Sequence, residues 1–133
     1  MERAAPGLRS WYRSALLFFA IAATIGAMLR LIYVVDMPWL IFKPWLHAHS
    51  HVAMLGWLFT ALLIALCGQE GGAMRPGIWR WMAASQLCVV GMLVSFPAQD
   101  YGAVSISFSA LQVLIGYALA VIAWHATAQW LAR

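Results

Sequence analysis

Three histidines stand within five residues, in the stretch Leu46-His47-Ala48-His49-Ser50-His51 at the head of a long apolar run. Imidazole is the commonest side-chain metal ligand, and an ionisable group in an apolar span is costly enough to mark a site. At about 100° per residue, His47 and His51 share one helix face and His49 points nearly opposite. The i, i+4 pair has the spacing by which a helix offers two ligands to one metal, though the glutamate of HExxH is absent. Met54 continues that face, so His47, His49, His51 and Met54 form an imidazole and thioether set suited to copper. Asp36 and Asp100 are candidate oxygen ligands nearby. Under His49 lie Ala53, Gly56, Thr60 and, further on, Cys67. Small residues of this kind leave a groove for a flat macrocycle, and the same spacing lets two helices approach closely. None of these residues identifies itself as catalytic.

Arg30 stands near the end of the preceding apolar run, above Ala22 and Gly26 on one face. A guanidinium at that depth needs an anion or water; Asp36 is one partner and a haem propionate another, bound through two parallel hydrogen bonds. His125 falls near the opposite membrane face, about 20 Å in depth from the cluster. That distance separates it from any shared metal.

The elements that position these groups follow from composition. Of 133 residues, 65% are hydrophobic and 9% charged, against roughly a quarter charged in soluble domains. A water-soluble globule is excluded. The apolar runs predict an all-α membrane protein, a single bundle of four transmembrane helices over residues 14–35, 45–67, 78–97 and 104–130. Loops containing Asp36-Met37-Pro38, Lys43-Pro44, Gly71-Gly72 and Asp100-Tyr101-Gly102 divide them. Arg3, Arg9, Arg13, Arg75, Arg80 and Arg133 fall on the side of both termini, Arg30 and Lys43 on the other. The excess puts both termini in the cytoplasm and the histidines outside. All the tryptophans except Trp57 sit near span ends, as an aromatic belt requires. The scattered basic residues form no patch for nucleic acid. Cys67 and Cys88 lie in apolar stretches as buried thiols.

The string His49-Ser50-His51-Val52-Ala53-Met54-Leu55-Gly56-Trp57 resembles the tenth helix of subunit I of the haem-copper oxidases, most closely the C-family, where a His-x-His pair is followed by Leu-Gly-Trp. The wider HAHSHVAMLGW is similar to short four-span bacterial proteins described as oxidase subunit I-like, and to the HAH motif of haem-containing membrane proteins linked to nitric oxide responses. The resemblance covers about a tenth of the chain. It implies that His49 is the axial ligand of a high-spin haem and His51 that of a low-spin haem, with Gly56 and Trp57 beside the cofactor. The oxidase's copper-ligand helices, and the separate helix that gives the low-spin haem its second axial ligand, have no counterpart here. In the oxidase the ligand helices are each second in a block of four, which implies a homo-trimer or homo-dimer sharing ligands between copies.

Together these readings give an expectation: a haem-b-binding protein of a bacterial inner membrane, acting in electron transfer or in binding a diatomic gas (NO or O2) near the periplasmic face. His49, His51, Arg30, Gly56 and Trp57 are the expected cofactor contacts, and a respiratory donor is the expected partner. Any catalysis would be oxidoreduction. The alternative is a copper protein for storage, delivery or sensing through His47, His49, His51 and Met54.

Overall fold

The computed structural model describes residues 6–67 and 76–131. Every regular element among them is helical. Helix α1 spans Pro6–Leu31, and the second span is built from α2 (Phe42–His51), a π-helical segment (Val52–Leu58) and α3 (Phe59–Cys67). Helices α4 (Pro76–Gln99) and α5 (Ala103–Leu131) complete the chain. Four stretches, Gly7–Leu31, Phe42–Leu66, Gly77–Gln99 and Ala103–His125, are long and apolar enough to cross a bilayer.

The helix bounds differ from the sequence expectation at both ends of the first span and at the start of the second. The first span was expected over 14–35, yet α1 starts at Pro6 and stops at Leu31. Proline is at home in a first turn, where its missing N–H has no partner to lose. Past Leu31, the Tyr33 and Val34 N–H groups bond three residues back, to the Arg30 and Leu31 carbonyls, and the chain leaves the helix through turns. Lys43-Pro44 reads as a break, but Pro44 lies inside the first turn of α2 and is buried. Asp100, with φ of 53°, turns the chain from α4 toward α5, a conformation that Asp tolerates better than most residues.

The second span is the centre of the bundle. It packs on α1 along one side and on α4 along another, while α3 reaches α5 and α4 pairs with α5. Apolar contact alone drives little helix association in lipid, so close approach and polar bonds carry it. Gly56 lets α1 in: a Cβ there would stand 2.8 Å from Phe18 Cγ. Mid-bundle, two neighbouring residues of α4 reach in different directions. Gln86 Nε2 donates to Ser14 Oγ on α1 at 2.9 Å, and Ser85 Oγ accepts from Gln112 Nε2 on α5 at 2.8 Å. At the end near the termini Trp11 stacks on Trp79, with ring centroids 5.6 Å apart. At the histidine end Trp39 meets Trp45 edge-on at 6.5 Å. Paired indoles thus mark both ends, where a membrane protein places its aromatic belts.

Candidate functional site

Because α2 is regular through His51, its histidines leave the helix in two directions. His49 faces α1. Its Nδ1 lies 2.9 Å from the Ala22 carbonyl oxygen, and since a carbonyl only accepts, Nδ1 carries the proton and Nε2 keeps the free lone pair. The ring lies over Gly26, where a Cβ would stand 2.9 Å from Cε1. No larger residue fits there without moving the imidazole. This geometry, a histidine oriented by a backbone carbonyl through one nitrogen with the other available, is how proteins prepare a metal-ligating imidazole.

His49 also lines a cleft of about 700 Å³ between the end of α1 and the start of α2, with Arg30, Tyr33, Phe42, Leu46 and Gly26 among its walls. Ala22, Gly26 and Arg30 follow at four-residue intervals, so α1 presents to this region a carbonyl for the imidazole, a gap for its ring and a cation beyond it. Arg30 is exposed, and the one ion pair among the described residues is Lys43–Asp100, at 3.8 Å. Asp36 therefore does not neutralise Arg30. Tyr33 and Phe42 meet at 6.0 Å, edge to face, on the cleft's wall.

His47 and His51 face α4. His51 lies nearly parallel to Phe96, with centroids 5.0 Å apart and planes 14° from each other, and His47 sits 5.7 Å from the same ring. Tyr101 closes the group. Its hydroxyl is 3.3 Å from His47 Nδ1, and its ring is 5.5 Å from Phe96. Lys43 Nζ stands 5.9 Å above the Tyr101 ring while pairing with Asp100. The face is an aromatic platform carrying a surface ion pair.

The copper set is not brought together. His49 lies on the α1 side, His47 and His51 lie on the α4 side, and Met54 is 57% exposed. Among the described residues no three His, Cys, Asp or Glu side chains gather as a metal group. Met54 leaves the histidine face because it lies in the π-helical segment, where the wider turn rotates each residue less than an α-helix does. The groove expected under His49 is also taken: Phe18 fills the space at Gly56, and Trp57 packs on Phe19 with centroids 4.6 Å apart. Gly56 and Trp57 thus serve helix contact, and the open space lies on the Arg30 side. His125 is exposed on α5, and Cys88 is a buried thiol.

Two wall residues, Tyr33 and Phe42, escape the sequence reading because Tyr33 sits inside the first apolar run and Phe42 just ahead of the second, where an aromatic side chain looks like ordinary span or belt. The signal available was proximity: Tyr33 follows Arg30 by three residues. No family model, curated protein or solved structure matches the chain.

Proposed function

We propose that this is a haem-b-binding membrane protein in which His49 is the axial ligand and Arg30 holds a propionate, acting in electron transfer or in binding a diatomic gas. The observation that carries the reading is the pairing, on one cleft, of an imidazole fixed by the Ala22 carbonyl with a guanidinium that no carboxylate approaches within 4 Å among the described residues. A cleft of about 700 Å³ lies within the range of cofactor sites. Bound there, haem supplies one-electron redox and gas-binding chemistry. The chain's own part is to fix the imidazole tautomer through Ala22, neutralise a carboxylate with Arg30 and wall the site with Phe42 and Leu46.

With His49 as the one protein ligand from this chain, a gas or a group from a second copy would complete the site. The cleft opens at the bundle's edge, where another chain of a homo-dimer or homo-trimer would close it. By the distribution of Lys and Arg, the site faces the periplasm of a bacterial inner membrane, with both termini cytoplasmic. The electron donor would be a respiratory partner. The low-spin role that the oxidase resemblance gives His51 is not carried forward, since that ring lies on Phe96 and borders a cleft of about 200 Å³.

The test is an absorption spectrum of purified protein, oxidised and reduced, with metal analysis of the same sample. A Soret band that shifts on reduction and again on adding carbon monoxide is expected, and Arg30→Leu weakens haemin affinity roughly tenfold, as loss of one charged hydrogen bond does. Copper without a Soret band, or a protein that takes up neither, overturns the proposal.

A further inference from the structure

Most of the glycines in the helices have a neighbour that explains them. A Cβ added at Gly7, Gly26, Gly56 or Gly91 would come within 3.2 Å of a side chain on another helix. Two would meet nothing within 4 Å: Gly77, in the first turn of α4, and Gly116, in the middle of α5. A mid-helix glycine weakens its helix relative to alanine, and the close helix approach that usually accounts for one in a bundle is missing at Gly116. The space there belongs to a cleft of about 200 Å³ between the second span, α4 and α5, with Leu55, Phe59, Val113 and Gly116 among its walls. The haem reading does not use it. Polar residues border the cleft but turn their polar atoms elsewhere. Ser109 donates to the Ser105 carbonyl at 2.9 Å, and Gln112 Nε2 donates to Ser85 at 2.8 Å. Gln112 Oε1 is sealed in the packing, and the His51 ring lies flat on Phe96. The surface that faces the cleft is almost wholly apolar.

Polarity and size then select the occupant. A buried water needs roughly two to four polar partners, and these walls offer it none, so the cleft is dry. An apolar cavity of about 150 Å³ stays empty of water and takes up benzene or xenon. The cleft therefore has room for one small apolar molecule and gives nothing to a ligand that must hydrogen-bond. An acyl chain brings a run of methylenes, and the larger groove of about 390 Å³ beside Leu62, Leu66 and Trp124 suits it better. Apolar gases dissolve in the hydrocarbon around the bundle and reach the cleft without crossing water. We propose that this cleft binds a diatomic gas, held by dispersion contact with Leu55, Phe59 and Val113 in the space that Gly116 leaves open. The site stands independently of the haem proposal.

The experiment follows the leucine methyl groups of the full chain in lipid nanodiscs by nuclear magnetic resonance under rising xenon pressure, xenon standing in for the gas. The Leu55 methyl signals are expected to shift and then saturate as the site fills. Those of Leu114, 66% exposed on α5, drift only in proportion to the xenon dissolved in the bilayer. Dioxygen is paramagnetic, so it broadens the Leu55 signals more than the Leu114 signals, and xenon reverses the excess. Gly116→Leu fills the cleft and abolishes both responses at Leu55. It resists unfolding at least as well as the native chain, because its Cβ enters space where nothing stands within 4 Å. Gly116→Ala, whose single methyl group fits the same space, weakens the xenon response and keeps the test open should leucine disturb folding. A Leu55 shift that stays linear like that of Leu114, or one that saturates unchanged in both Gly116 variants, overturns the proposal. Magnetisation transfer from acyl-chain protons to Leu55 with no xenon saturation also overturns it, and gives the cleft to a lipid tail.

Discussion

The two sides of the second span use the same side chain for opposite ends. On the α1 side, a single imidazole is fixed by a backbone carbonyl over a glycine and borders an open cleft with a cation on its rim. On the α4 side, two imidazoles are absorbed into ring packing around Phe96, which is 1% exposed. A histidine's neighbours, more than its presence in a cluster, decide whether it is available. The α1 side supplies a small residue and a carbonyl, which orient a ring without covering it. The α4 side supplies aromatic faces, which pack against it.

The comparison breaks most visibly at the proposed ligand. His49→Ala is expected to abolish the Soret band in a haemin titration, while His47→Ala and His51→Ala each leave it in place. Gly26→Leu, which keeps His49 but pushes a side chain into the space of its ring, should behave like His49→Ala. If His51→Ala removed the band and His49→Ala did not, the two sides would have to exchange roles.

Removal of Phe96 comes next in size. Truncating a buried Phe to Ala costs about 3–5 kcal/mol in well-packed cores, and here it also releases His47, His51 and Tyr101. Unfolding in mixed micelles should register that loss, while haemin affinity per folded molecule stays unchanged. A fall in both would mean that the two sides are coupled through α2.

Much of this division was legible in the sequence, because the angular separation of His49 from His47 and His51 follows from α-helical periodicity alone. Four spans were equally legible from apolar length. Two features were not. The π-helical turn over Val52–Leu58 has no residue pattern that announces it, so Met54 was expected on the histidine face and lies instead at the surface, 57% exposed. The small residues Ala53, Gly56 and Thr60 are compatible with either a cofactor or a helix against them, and only the position of Phe18 decides. Gln112, visible as a polar residue in an apolar run, gave no sign of which of its two amide atoms would be left without a partner.

Gly56 offers a third and smaller test. An added Cβ, as in Gly56→Ala, stands 2.8 Å from Phe18 Cγ, and overpacking of this kind costs about 1–3 kcal/mol. The expected outcome is a modest loss of resistance to unfolding. The double change with Phe18→Leu should recover much of it, because the clash is with the ring. Recovery would tie the Gly-Trp end of the motif to helix packing; a Gly56→Ala protein of normal stability that had lost haemin would return Gly56 to the cofactor.

The smallest effect belongs to the ion pair at the edge of the aromatic platform. Lys43 Nζ and Asp100 Oδ2 are 3.8 Å apart, with side chains 68% and 38% exposed, and exposed pairs of this kind are worth about 0–1 kcal/mol. Lys43→Met keeps an apolar stem of similar length, and Asp100→Asn keeps a residue that tolerates φ of 53°. Neither change therefore disturbs packing or backbone, and a double-mutant cycle isolates the charge interaction itself. A coupling energy below about 1 kcal/mol, shrinking further at high salt, is what a solvated pair gives. A coupling above about 2 kcal/mol, insensitive to salt, would mean that the α4–α5 turn is clamped onto α2 by a desolvated pair. The α4 side would then be held by charge as well as by ring packing, and the contrast with the open α1 side would rest on both.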